Sequence, residues 1–132
     1  GVQTCALPIC GVSLGMEDSM TETNCIFCKI ARKEIPAKIV GETELALAFW
    51  DVAPRQPLHI LVIPKAHQPN VAELTINDEA SLLAVMDLAS KLALELADEN
   101  FRLSFNTGAA AGQTVFHAHA HLTSTTPKAS VA

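Results

Sequence analysis

Three of the five histidines in this 132-residue chain stand at alternate positions near its C-terminus, in 112-GQTVFHAHAHL-122. Imidazole is a nucleophile, a proton carrier near neutral pH and a metal ligand, so His117, His119 and His121 have three chemistries open to them. On an extended strand the three would share a face, their Cβ atoms about 6.5–7 Å apart at a rise of about 3.3 Å per residue. Neighbours so spaced can share a partner, but three in a straight row are poorly placed to enclose one tetrahedral ion. Different tasks for neighbouring histidines are therefore expected. The loop ahead of them carries Gly108, Gly112, Gln113 and Thr114, flexible backbone N–H groups and polar side chains of the kind that wrap an anion. A solvated strand face that merely tolerates histidine has no need of such a loop.

A second constellation lies near the other end, Cys25-Ile26-Phe27-Cys28. Two thiolates at this spacing can hold one ion, but they supply only half of a tetrahedral zinc site. A redox pair of the thioredoxin kind needs a βαβ setting that is not visible here, and two inert buried thiols also satisfy the spacing. Cys5 and Cys10 are left outside any site.

The elements that must position these groups follow from periodicity. Residues 24–34 read as a short helix capped by Asn24, with Ile26, Phe27 and Ile30 on one side, and Ile35-Pro36 stops it. Residues 37–42 and 44–51 read as a hairpin, and 58-LHILVIP-64 as a strongly apolar strand. Over 77–100, Leu82, Val85, Met86, Ala89, Leu92, Ala93 and Leu96 recur at spacings of three and four, predicting one long helix capped by Asn77. Strands are predicted over 101–106 and 114–122, with Ala118 and Ala120 facing the long helix. The order predicts an α+β domain with a mainly antiparallel sheet.

Bulk properties narrow the partners. With 49% apolar and 17% charged residues, the chain is expected to fold as one domain. A net charge of −5, with no long run of Lys or Arg, argues against long nucleic acid as a partner. A mononucleotide is compatible, because backbone N–H groups and a few polar side chains suffice to hold one. No apolar run approaches a membrane span, and the start lacks the basic region of a signal peptide. A cytoplasmic setting is expected. Met16 or Met20 is a natural start for the domain, and residues 1–20 are expected to be a leader outside the fold.

GQTVFHAHAHL resembles the signature of the histidine triad (HIT) family, a His–apolar–His–apolar–His run after a Gly-Gln-Ser/Thr-apolar turn. The blocks 24-NCIFCKIARKEIPAKIV-40, 48-AFWDVAP-54, 58-LHILVIPKAH-67 and 104-SFNTG-108 resemble those of its Hint-like bacterial branch in the same order. The resemblance implies a HIT fold over 21–123, with about five strands, one long helix and a short N-terminal helix. It implies hydrolysis or transfer at the α-phosphorus of purine nucleoside phosphoramidates or related nucleotidyl substrates, through a nucleotidyl-histidine intermediate. By the same resemblance His119 would be the nucleophile, with His121 and His59 flanking the phosphate. Asn106, Gly112, Gln113 and Thr114 would contact phosphate or leaving group. Base and sugar would lie among Ile26, Phe27, Ile30, Phe49 and Val52, with Asp51 on the ribose hydroxyls. A structural zinc would be held by Cys25, Cys28, His67 and His117, as in zinc-containing members, and a homodimer is implied. Dinucleoside polyphosphate hydrolysis, or a zinc-stabilised nucleotide-binding module of negligible turnover, are the competing readings.

The chain departs from the family at two points. Trp50 stands where relatives often have a small or polar residue, which bears on the base pocket. After His121 the segment 122-LTSTTPKASVA-132 has none of the arginines, glycines or aromatics of the usual tail, so residues 124–132 are expected to be an atypical tail.

Overall fold

The computed structural model describes residues 24–128. The leader assigned to 1–20, with Cys5 and Cys10, lies outside the described residues, as do the last four residues of the tail. The described chain is an α+β fold: α1 (Ile26–Ala31), β1 (Ile39–Glu42), β2 (Ala46–Trp50), β3 (Leu58–Pro64), α2 (Val71–Asn77), α3 (Glu79–Leu96), β4 (Arg102–Phe105) and β5 (Ala120–Ser124). The five strands form one sheet in the order β1-β2-β3-β5-β4, and every neighbouring pair is antiparallel.

Both faces of the sheet are covered. Alternation sends Ala46, Ala48, Leu58, Ile60, Val62, Ala120 and Leu122 to one face, where they pack with Val85, Leu88, Ala89, Leu92 and Ala93 of α3. It sends Leu47, Phe49, Leu61 and Ile63 to the other, where Phe27 and Ile30 of α1 meet them. Every residue of β3 is accordingly buried, which explains why it is apolar throughout except for His59. Gly41 sits at an irregularity in the β1–β2 pairing, and a Cβ there would come within 3.2 Å of Leu88.

Four expectations are corrected. The helix predicted over 77–100 is α3, Glu79–Leu96, capped by Asp78 rather than Asn77, and a helix that was not expected, α2, precedes it. Asn70 caps α2 by accepting from Glu73 N at 2.9 Å, and the chain breaks at Asp78 (φ −155°, ψ 72°), whose carboxylate accepts from Ser81 N and Oγ. Asn77 and Asp78 are both good capping types, and apolar periodicity does not choose between them. The buried face of α3 is also rotated: Leu88 is buried, while Met86 is 37% exposed. At α1 the cap is Cys25 rather than Asn24, its sulfur accepting from Cys28 N at 3.4 Å. Finally, β5 begins only at Ala120, and 115–117 is a bend, so His121 alone of the three histidines stands on a strand.

The C-terminal boundary expected at 123 falls inside β5. Beyond it the chain stays attached: Lys128 donates from its backbone N to Leu96 O and from Nζ to Leu94 O, and Asp98 N donates to Thr126 O. The two Lys128 bonds satisfy carbonyls that the last turn of α3 leaves without intrahelical partners.

Candidate active site and metal centre

The bend at 115–117 divides the histidine row. It turns the His117 ring back toward α1 while the chain continues into β5. His117 is fully buried, and its Nδ1 lies 3.5 Å from both Cys25 Sγ and Cys28 Sγ and 3.2 Å from His67 Nδ1. Cys28 Sγ is in turn 3.2 Å from His67 Nδ1, and all four ligand atoms lie within 4.8 Å of one another. A zinc tetrahedron with Zn–S of about 2.3 Å and Zn–N of about 2.05 Å has S···N edges of about 3.55 Å and N···N edges of about 3.35 Å. The donor set and spacing therefore fit one metal ion. The far side of the His117 ring supports this: Nε2 donates to Pro64 O at 2.8 Å, which leaves Nδ1 unprotonated and facing the thiols. The Cys25 thiol is lowered to about 5: burial raises it, but the neighbouring His117 and His67 rings and the Cys28 N–H, which donates to its sulfur, outweigh that. A thiolate is the form that binds metal.

Past the bend, His119 is buried and its Nδ1 donates to His117 O at 2.8 Å. This fixes the tautomer, so Nε2 carries a lone pair. Burial, the leading cause, holds its pKa below the ordinary imidazole value. His119 is neutral at pH 7. The ring of Phe27 stands edge-on to His119 (centroids 5.1 Å), to His117 (6.0 Å) and to Phe49 (5.6 Å). Phe27 thus lies behind the site, wedging the two histidines apart.

His121 and His59 face each other across the β5–β3 pair, Nδ1 to Nε2 at 3.1 Å. His59 Nδ1 accepts from Arg55 N at 3.1 Å, so its proton sits on Nε2. From there it is shared between His121 Nδ1 and Asp51 Oδ2, the latter 3.3 Å away. His121 in turn carries its proton on Nε2. Burial, then the neighbouring His119 and His59, push its pKa down to about 4, so at neutral pH it is an uncharged N–H donor. The His119 and His121 rings lie 4.9 Å apart.

Asp51 joins this cluster to an apolar cleft of about 430 Å³. Of the residues expected around base and sugar, Ile26, Ile30, Phe49, Asp51 and Val52 line it, Val52 as a fully exposed lip. Ile35, Pro36, Ala37 and Lys38 line it too. Sequence reasoning missed them by reading Ile35-Pro36 only as a helix stop. Trp50 also reaches the cleft. The Asp51 carboxylate is already partly engaged, with Oδ1 accepting from Ala53 N at 2.9 Å.

The loop before the bend is built around Gln113. Its buried amide accepts from Gly108 N at 2.8 Å and donates to Pro69 O (2.7 Å) and Val115 O (3.0 Å). The side chain expected to touch phosphate is thus committed to backbone groups and braces the loop instead. Gly108 and Gly112 both take positive φ (91° and 99°), which favours glycine. Asn106 Nδ2 lies against Gly112, 3.6 Å from where a Cβ would stand. Thr114 is exposed.

An imidazole with a free lone pair, a neutral imidazole donor and an apolar cleft thus lie beside a four-residue Cys/His cluster that could hold a metal ion, all on a five-stranded sheet. The chain belongs to the HIT family: the HIT domain model matches residues 32–128. A HIT-like protein of Synechocystis is 48% identical over 98 residues, covering 74% of this chain and 86% of that protein. The purine nucleoside phosphoramidase of Escherichia coli K12 is 40% identical over 99 residues, covering 74% and 83%. Among solved structures, a HIT family hydrolase from Clostridium thermocellum superposes with a TM-score of 0.72 at 44% identity, covering 78% of this chain and 91% of that one. A histidine triad protein from Clostridium difficile gives 0.72 at 37% identity, covering 79% and 92%. This is a HIT-family nucleotide hydrolase or transferase fold. Among the described residues no helix is long and apolar enough to cross a membrane.

Proposed function

We propose that the protein cleaves purine nucleoside phosphoramidates at the α-phosphorus, releasing a nucleoside monophosphate. The observation that carries this reading is His119, with Nδ1 tied to a backbone carbonyl and Nε2 left as an uncharged nucleophile beside the His121 N–H. The 40% identity to a purine nucleoside phosphoramidase supports the substrate class.

The base enters the cleft beside Ile26, Ile30 and Phe49, and Asp51 meets the ribose hydroxyls. His119 Nε2 attacks phosphorus; the N–P bond to the imidazole forms as the bond to the leaving amine breaks, and the amine nitrogen takes the electron pair and a proton from solvent, which the attacking water later returns. His121 Nε2–H donates to the phosphoryl oxygen, where charge develops. His59 holds His121 in the donating tautomer. The N–H groups near Gly112 and the side chains of Asn106 and Thr114 complete the phosphate site. Water then attacks the nucleotidyl-imidazole, releasing the monophosphate and restoring His119. Splitting one displacement into two lowers each barrier.

Zinc is the ion proposed for Cys25, Cys28, His67 and His117. When bound, it ties α1 to the loops before α2 and β5 and performs no step of the reaction. The same reading takes the protein to be a cytoplasmic homodimer.

The test is turnover of adenosine 5′-phosphoramidate with mass-spectrometric trapping of a nucleotidylated His119. His119→Ala is expected to lower kcat by about 10³-fold or more while retaining AMP binding. AMP binding without hydrolysis by the unsubstituted protein would instead make it a binding module.

A further inference from the structure

His59 has one ring proton to give and two acceptors for it. The proton is on Nε2, because Nδ1 accepts from the Arg55 N–H. His121 Nδ1 stands 3.1 Å from that nitrogen and Asp51 Oδ2 3.3 Å. The His59 side chain is only 4% exposed, so water offers it no ready alternative, and a buried donor must pair with what surrounds it. An N–H divided between two acceptors is misaligned toward both and weaker toward each.

The backbone holds the three groups in place. Asp51 N donates to His59 O at 3.0 Å, which carries the β2–β3 pairing one residue past Trp50 and sets the carboxylate beside the ring. The polar atoms of Asp51, His59 and His121 lie within 4.8 Å of one another, a spacing that would also suit a metal ion. The Arg55 N–H argues against that use, since it keeps the His59 proton on the nitrogen that would have to bind. Of the three residues only Asp51 lines the base cleft. Its Oδ1 is occupied by Ala53 N at 2.9 Å, so the hydroxyls of a ligand draw chiefly on Oδ2, the oxygen that faces His59.

We propose that Asp51 couples ribose recognition to phosphoryl activation: a vicinal diol on its carboxylate releases the His59 N–H to His121, which strengthens the His121 N–H at the phosphoryl oxygen. The inference rests on the nucleotidyl-transfer reading and deepens it. Without ligand, His59 shares its proton between two acceptors. With the diol in place Oδ2 accepts from hydroxyls instead, and the His59 N–H turns wholly to His121 Nδ1. No bond to hydrogen breaks; only the partners change. Hydrogen bonds in a chain polarise one another, so a firmer bond at Nδ1 makes Nε2–H the better donor where charge develops. Asp51 is thus a positioning residue for His121, acting through His59, as well as a ribose contact. A nucleotide without the diol would bind less tightly and also react more slowly once bound.

Two measurements test the relay. In the first, nitrogen NMR spectra follow His121 Nδ1 as the protein is saturated with adenosine or with 2′,3′-dideoxyadenosine, neither of which carries a phosphate to touch His121. Adenosine is expected to move the resonance upfield, as Nδ1 accepts the stronger hydrogen bond, and dideoxyadenosine to leave it in place. Equal shifts, no shift with either, or failure of adenosine to bind would overturn the relay.

In the second, single-turnover nucleotidylation of His119 at saturating substrate is compared for adenosine 5′-phosphoramidate and its 2′,3′-dideoxy analogue. The unsubstituted protein is expected to react about tenfold more slowly with the analogue, one hydrogen bond's worth. His59→Gln replaces Nε2–H with an amide nitrogen bearing two hydrogens, enough for both acceptors at once. There the rate ratio is expected to fall toward one while KM still favours the ribose. A ribose effect confined to KM in the unsubstituted protein would make Asp51 a binding contact only. Absence of nucleotidylated His119 with both substrates, while adenosine still shifts His121, would be the separate failure of the nucleotidyl-transfer reading.

Discussion

At the scale of single residues, the partners of the three histidines set which nitrogen of each ring carries the proton. His119 gives Nδ1–H to a carbonyl, His59 takes an N–H from Arg55, and His121 is left donating from Nε2. Keeping the His121 ring uncharged has a cost in acid. The pKa of His121 is pushed down to about 4 by burial and by its histidine neighbours, whereas an unfolded imidazole titrates near 6.5. Between these values the unfolded chain binds more protons, so the folded state loses stability as pH falls from about 6.5 toward 4. A Tm-versus-pH profile should show that limb, and His121→Gln should flatten it. An equal slope in the variant would place the acid sensitivity elsewhere.

At the scale of elements, the loop between β4 and β5 depends on Gln113 more than on any direct contact with substrate. Its amide satisfies Gly108 N, Pro69 O and Val115 O from a buried position. Gln113→Ala would strand those groups and is expected to cost about 1–3 kcal/mol in chemical denaturation. Because the loop carries Asn106 and Gly112, KM for a phosphoramidate should rise with it. A variant of unchanged stability would show that water replaces the amide. The residue type was legible in the sequence as polar and loop-borne, but its direction was not: a glutamine before the histidines reads equally well as a ligand contact or as a brace.

At the scale of the whole molecule, α3 covers one face of the sheet and α1 the other, and these coverings differ in strength. α3 brings a full apolar stripe. α1 has six residues, too few to persist as an isolated helix, and it is held by Phe27, Ile30 and the two cysteines. Metal binding should therefore stabilise the face that carries the site. Purified protein is expected to hold one zinc per chain by elemental analysis; Cys28→Ser should lose it and lower Tm by about 5 °C or more. Amide exchange over 26–31 should quicken in the variant while α3 stays protected. Retention of zinc by Cys28→Ser would sink the four-ligand centre.

The sequence by itself determined the elements whose cause is local or periodic. β3 follows from a run that is apolar but for His59, α1 and most of α3 from spacings of three and four, and the CxxC and the histidine row from residue type alone. It also carried the family resemblance that the HIT domain match now establishes. Only the tertiary structure showed that α2 precedes the long helix and that Asp78, not the adjacent Asn77, caps α3, because that choice depends on how α2 and α3 pack. Only it showed that the histidine row bends before β5, turning His117 onto Cys25, Cys28 and His67 while His121 stays on the strand. A period of two assumes an extended chain. The bend comes from long-range bonds that no spacing records: Gln113 reaching Pro69 and Val115, Ala118 N bonded to Gln68 O, and His117 Nε2 to Pro64 O.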